Sequence, residues 1–324
     1  MATNEVDAGP VRGPAQRPPG RMEGIAQASA RIPFKLKVAV VWFVIFVVIA
    51  VVFNLAQFDT AWMKERWDFI AFGVRFTLQT AFFAIILAVF LALLGALGRL
   101  SHNPIGYGIS GFYTSFFRGT PLIVQMFLIA FALPQVIKNL GLPDGLREAF
   151  TLEPALAGIL ALGLNYGAYM TEIFRAGIQS VGHGQAEAAD ALGMKYRQKM
   201  KRVVLPQAFR VIIPPTGNEF IAMMKDTALI SFLGVVPAQA ELFRRAQLVG
   251  TADFRPLEAF ILAAGMYWAL TAIFTFFQSR LERKIGRGYV RGSTTTKSKK
   301  AGAPAADTPV LDMPAGPELG GQGH

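Results

Sequence analysis

The chain has 324 residues, of which 53% are hydrophobic, and 32 Lys and Arg against 21 Asp and Glu give it a net charge of +11. Charged residues are only 16%, against about 25% in soluble proteins, and the mean hydropathy is +0.40. This composition excludes an ordinary soluble domain, makes nucleic acid a poor explanation of the charge, and predicts an all-α integral membrane protein.

Residues 1–35 are rich in Gly, Pro, Ala and Arg and cannot build a core, so a disordered tail is expected there. Residues 36–56, "LKVAVVWFVIFVVIAVVFNLA", hold one charge at their edge and satisfy the about 20 apolar residues that a span needs. No small-residue cleavage site follows, so this run reads as a span and not a signal peptide. Further spans are expected at 72–97, 122–136, 155–173 (continuing as helix to 178), 212–236 and 257–277. The short third one contains Pro134. Residues 292–324 form a second low-complexity tail.

The connecting segments alternate in charge. The N-terminal tail, the segment holding Arg99 and Arg118, the one holding Lys195, Arg197, Lys199, Lys201 and Arg202, and the C-terminal segment are basic, and those between them are mixed. The positive-inside rule then puts both termini and residues 184–206 in the cytoplasm.

Between two spans lies "EAADALGMKYRQKMKRVVLP", residues 187–206. Its first part is a short Ala-rich helix with an acid near its start. Gly193 permits a sharp turn. The second part is amphipathic, with Tyr196, Met200, Val203 and Val204 at helical spacing and Lys195, Lys199 and Arg202 opposite. Pro206 is expected to mark a change of direction. Such a basic helix can lie on anionic lipid or anchor the topology, but neither use needs the small-residue helix and the glycine turn. Those suit insertion into a partner's groove.

The order Glu187-Ala188-Ala189, three residues, Gly193, nine residues, then Val203-Val204-Leu205-Pro206 resembles the EAA loop of ABC importer permeases, with Val203 where the family usually has isoleucine. The resemblance covers roughly residues 65–285. It is nearest to the polar amino acid permeases through "FFRGTPLIVQ" (116–125), "YGAYMTEIFRAGIQSV" (166–181) and "KDTALIS" (225–231). It implies a five-span core, to which 36–56 is an addition, making six transmembrane helices with cytoplasmic coupling helices. It also implies docking on a cytoplasmic ATPase dimer through Glu187, Ala188, Ala189, Gly193, Val203, Leu205 and Pro206. The further implied partners are a second permease subunit, identical or paralogous, and an extracytoplasmic solute-binding protein. The implied substrate is a polar amino acid, carried across a bacterial cytoplasmic membrane.

Polar residues inside the spans are the candidate substrate path. Lys225 and Asp226 sit in "FIAMMKDTALISFLGV", where an ionisable group costs about 2.5–3.5 kcal/mol at the bilayer centre. They make either a contact with another span or part of a solute path, with Lys225 expected to hold Asp226 in place. Pro214, Pro215 and Gly217 are expected to break this helix. Asn165, Tyr169 and Glu172 fall on one helical face, and Glu172 can also pair with Arg175. Arg118 can be a snorkelling anchor, and Gln125 needs an internal partner. The chain contains no Gly-Lys pair, hence no phosphate-binding loop of the G-x-x-x-x-G-K-[ST] kind. Neither a nucleophile motif nor a metal-ligand set occurs, so no catalysis and no cofactor are expected of the chain itself. A stand-alone secondary transporter or channel is the rival reading, but it would need a coupling-ion site and, usually, internal repeats. An ABC permease for another small polar solute is the nearer alternative.

Overall fold

The computed structural model describes residues 33–55, 57–141 and 143–286. All regular structure among them is helical. The C-terminal tail expected at 292–324, and all but the last three residues of the tail expected at 1–35, lie outside the described residues.

The first helix, α1 (Phe34–Leu55), is a run of Val, Ile and Phe that buries no residue among the described residues. An all-round apolar helix of this kind suits lipid. Asp59 caps α2 (Thr60–Ala71) by accepting from Trp62 N at 2.9 Å. Phe72 then carries the chain, still helical, into α3 (Gly73–Leu100). The expected second span therefore starts a full helix earlier than hydropathy suggests, because the Lys, Glu and Arg of α2 hide its continuity.

Helix α3 packs along α7 (Pro154–Gln179) through small residues. Ala84, Ala88, Ala92 and Gly95 on α3 and Ala157, Ala161, Gly163 and Gly167 on α7 are all buried; Gly95 leaves room for Thr171, Gly163 for Leu87, and Gly167 for Leu91 and the backbone of Ala88. Within a membrane, close backbone approach supplies dispersion contacts that replace a hydrophobic driving force.

Between these helices the chain forms α4 (Pro104–Gly119), where the sequence reading has only a loop. Asn103 caps it, accepting from Ile105 N at 2.9 Å, and Pro104 occupies its first turn. Ile105, Ile109, Phe112 and Phe116 recur at helical spacing on its exposed face. Glycines and hydroxyls between them lower the hydropathy, which is why the element is inconspicuous. Ser110 fixes it to α3 by donating to Gly95 O at 2.7 Å.

After an extended step at Thr120 and Pro121 comes α5 (Leu122–Asn139), then α6 (Asp144–Phe150). Helix α5 contains a π-helical turn at Leu128–Ala132, in which Leu133 N reaches back five residues to Leu128 O, immediately before Pro134. The same device recurs after α8 (His183–Ala191) and α9 (Tyr196–Lys199). A π-helical turn at Met200–Val204 ends with Leu205 N on Met200 O, immediately before Pro206. The widened turn shifts the backbone pairing just before the residue that has no N–H. Pro206 consequently starts α10 (Leu205–Asp226) without the expected break.

Pro214 and Pro215 do not break α10 either. The missing N–H groups leave Arg210 O and Val211 O without helical donors, yet the helix continues through Gly217, with Thr216 Oγ1 donating to Ile212 O at 2.9 Å and Gln278 tying Pro214 O to the last helix at 2.7 Å. The expected span at 212–236 is not one α-helix. Its regular part ends at Asp226, and a 3-10 segment, Thr227–Leu233, leads to Gly234 at φ +79°. Only glycine adopts that left-handed backbone at little cost.

Helix α11 (Leu242–Ala252) is tied inward by buried polar groups. Glu241 caps it and accepts from Tyr267 Oη at 2.8 Å, and Arg245 donates to the carbonyls of Phe69, Pro237 and Ala240. At its far end Asp253 accepts from Trp62 Nε1 at 2.8 Å and Arg66 Nε at 2.9 Å. The last helix is α12 (Pro256–Ile285). Among the described residues four segments are long and apolar enough to cross a membrane: α1, α2 with α3, α5 and α12. Helices α7 and α10 have 26 and 22 residues, and so are about 39 and 33 Å long. Their hydropathy is lower because they carry polar groups, some of them turned inward, as Asn165 and Thr171 are.

Candidate solute path and docking loop

Two cavities open on the polar face of α7. The first has a volume of about 380 Å³, and Thr120, Asn165, Tyr166, Tyr169, Glu219 and Asp226 contribute to its wall. The second, of about 530 Å³, is bordered by Arg99, Thr114, Ser115, Arg118, Tyr169 and Glu172. Tyr169 borders both.

The first cavity is acidic. Asp226, at the end of α10, accepts from Tyr166 Oη at 2.7 Å. Glu219 lies two turns earlier on the same helix face. Tyr166, and not Lys225, thus holds Asp226. Lys225 is exposed, borders neither cavity and has no ion pair among the described residues.

Gln125 borders neither cavity. It is 1% exposed, and its Nε2 donates to Phe117 O at 2.8 Å, Thr120 O at 3.0 Å and Thr120 Oγ1 at 2.7 Å. Its Oε1 accepts from Asn165 Nδ2 at 3.0 Å, and Asn165 Nδ2 also donates to Phe117 O at 3.0 Å. These are carbonyls that the end of α4 leaves without helical partners. The two amides hold the break between α4 and α5 open, and thereby set the wall of the acidic cavity at Thr120.

In the second cavity Glu172 accepts from Arg175 Nε at 2.7 Å, and Arg99 Nε stands 3.5 Å from its other oxygen. The Arg118 guanidinium lies over the Tyr169 ring, 5.4 Å from its centroid. Of the residues singled out from sequence, Asn165, Tyr169 and Asp226 meet at the first cavity, and Arg118, Tyr169 and Glu172 at the second. Arg99, Tyr166 and Glu219 escaped the sequence reading. The seven-residue spacing of Glu219 and Asp226 was the available signal for one of them.

The loop lies apart from both cavities. Its first helix, α8, ends in a Schellman-type turn, with Met194 N on Ala189 O at 3.1 Å and Gly193 N on Asp190 O at 2.9 Å. Gly193 has φ +69°. Ala189 is buried, while Glu187, Ala188 and Gly193 are exposed. Lys199 Nζ binds both oxygens of Asp190 at 2.8 Å and so clasps the two parts of the loop. Val203 and Leu205 are half-buried, Val204 is buried and Pro206 is exposed. Leu192 and Tyr196 project, 77% and 71% exposed, and present an apolar surface next to the glycine turn.

Comparison with known proteins identifies the family. The family described as "Binding-protein-dependent transport system inner membrane component" matches residues 84–287. The arginine transport system permease protein ArgU of Corynebacterium glutamicum is 38% identical over 240 residues, 74% of this chain and 73% of that protein. The L-cystine transport system permease protein TcyB of Bacillus subtilis is 39% identical over 228 residues, 69% of this chain and 89% of that protein. A chain in the crystal structure of an amino acid ABC transporter with histidines superposes with a TM-score of 0.62 at 34% identity, over 70% of this chain and 99% of that one.

Proposed function

Since this chain belongs to the family of binding-protein-dependent transport system inner membrane components and is thereby a permease subunit of an ABC importer, we propose that its solute is a polar amino acid and that the solute crosses along the polar face of α7. One observation carries this reading. Asn165, Tyr169 and Glu172, on a single helix face, border two cavities, and one of these adds Asp226 and Glu219 from α10. An amino acid brings an ammonium group and a carboxylate into a low-dielectric space where unpaired charge is costly, so its path needs acceptors and donors. Asp226 and Glu219 are the acceptors for the ammonium group.

Residues 65–285 form a five-span permease domain, 36–56 adds a sixth span, and both termini face the cytoplasm. ATP is hydrolysed on a separate ATPase dimer. That dimer grips the loop 184–206 at Glu187, Ala188, Gly193 and the exposed Leu192 and Tyr196, and moves the spans to alternate access to the path. A second permease subunit and an extracytoplasmic solute-binding protein complete the assembly.

Two variants separate the roles. Glu187→Arg is expected to insert normally but to lose the ATPase in pull-down and to stop uptake. Asp226→Asn is expected to retain the ATPase and its basal hydrolysis while uptake, and stimulation by loaded binding protein, fall. Wild-type uptake by Asp226→Asn and by Glu219→Gln at normal membrane abundance would refute the path. An intact complex with Glu187→Arg would refute the docking role.

A further inference from the structure

The second cavity carries a charge that an ammonium path does not explain. Arg99 and Arg118 face a single carboxylate, Glu172, across its space. Glu172 cannot balance both. One of its oxygens is held by Arg175 through Nε and Nη2 at 2.7 Å each. Arg99 Nε, 3.5 Å from the other oxygen, is beyond hydrogen-bond distance and is buried without a hydrogen-bond partner. Arg118 has no hydrogen bond or ion pair among the described residues; its contact is the face of Tyr169. That contact engages none of its N–H donors, which are free for an acceptor. Gly119 adds room beside it, since nothing lies within 4 Å of where a side chain would begin.

We infer that this cavity is a carboxylate subsite: Arg118, backed by Arg99, takes the carboxylate of the transported solute, while the acidic cavity on the other side of Tyr169 takes its cationic group. This rests on the reading that the solute crosses along α7. Asn165 marks one cavity and Glu172 the other, a separation of about 10 Å along the helix axis. A solute with opposite charges at its two ends meets opposite charges in the two walls, either at once or in succession. A carboxylate matches the fork of an arginine with two parallel hydrogen bonds. The phosphate of an anionic lipid has similar acceptor chemistry, and the assay must separate the two sources.

The permease with its ATPase is reconstituted in nanodiscs, once in phosphatidylcholine alone and once with phosphatidylglycerol added. Binding of L-arginine, L-lysine, L-histidine and L-glutamine is measured beside that of each α-carboxamide. The wild-type complex is expected to bind at least one acid about tenfold or more tightly than its amide, the scale of a hydrogen-bonded charge. Arg118→Gln is expected to bring acid and amide to within about threefold by weakening the acid alone, with the ATPase still co-purifying. If Arg118→Gln does not assemble, Arg99→Gln and Arg118→Lys give the same readout, a reduced preference for the acid. A full preference surviving in every assembled arginine variant overturns the inference. So does an effect of these variants that appears only with phosphatidylglycerol, which would make lipid phosphate the ligand. If the wild type binds none of the eight compounds, the path itself falls. If Asp226→Asn weakens acid and amide alike while the arginine variants change neither, the path stands and the carboxylate subsite falls.

Discussion

Replacing Gln125 by leucine removes the clamp on the break between α4 and α5 with little change in volume. Phe117 O keeps the donor from Asn165. Thr120 O and one N–H of Asn165 lose their partners. Each buried group left unpaired costs about 1–3 kcal/mol, so the gross loss is about 2–6 kcal/mol. The apolar surface of leucine returns about 1 kcal/mol. A net loss near 3 kcal/mol should lower the melting midpoint by about 4 °C, given about 2.1 cal/mol/K of unfolding entropy per residue over 324 residues. The assay is thermal unfolding of the detergent-solubilised complex, with uptake measured in proteoliposomes alongside. Uptake should fall as well, because Thr120 and Pro121 border the acidic cavity. Removing both amides leaves fewer orphaned groups than the two single changes suggest. Gln125→Leu with Asn165→Leu should therefore be less damaging than the sum of the single variants, by about 0.5–3 kcal/mol. A Gln125→Leu complex that melts like wild type, or a double variant that loses the full sum, refutes the clamp.

Three further outcomes follow from the geometry. Gly193→Pro asks for a negative φ at a residue held at +69° and removes the N–H given to Asp190 O. It should unseat the ATPase in pull-down while membrane abundance stays normal. Deleting residues 1–56 removes a helix that buries no residue among the described ones, so the truncated chain should still bind the ATPase and show unchanged solute affinity once its orientation is verified by protease protection. The Trp62 indole N–H, and after it Arg66, hold the Asp253 carboxyl below the usual carboxylate range. Its contribution is therefore complete above the unfolded-state value near pH 4 and is lost as the pH falls through the lower folded value. Asp253→Asn should melt earlier than wild type at pH 7, and the gap should narrow on acidification below about pH 4; a constant gap would refute the tie.

The turn-and-helix shape of the loop at 187–206 was legible in the sequence because its determinants are local. Gly193 permits a left-handed turn and Ala188 and Ala189 make a slim helix, all within twenty consecutive residues. The apolar run that became α1 was equally plain, since lipid demands only length and hydropathy. The interruption of the expected fifth span at Asp226 was not visible in this way, because it depends on Thr227–Leu233 tightening to a 3-10 segment within an apolar stretch. Helix α4 was hidden because its apolar residues are diluted by glycines and hydroxyls that pack on α3. The candidate solute path was legible by halves. Asn165, Tyr169 and Glu172 share a face by helical period alone. Which groups stand opposite that face is not a property of any one segment. The packing of α3, α4, α7 and α10 brought Arg99, Tyr166 and Glu219 to the cavities and left Lys225 outside them, although it adjoins Asp226 in the chain. One residue along a helix turns a side chain by about 100°, and only the neighbouring helices decide whether that turn points it at a cavity or away from it.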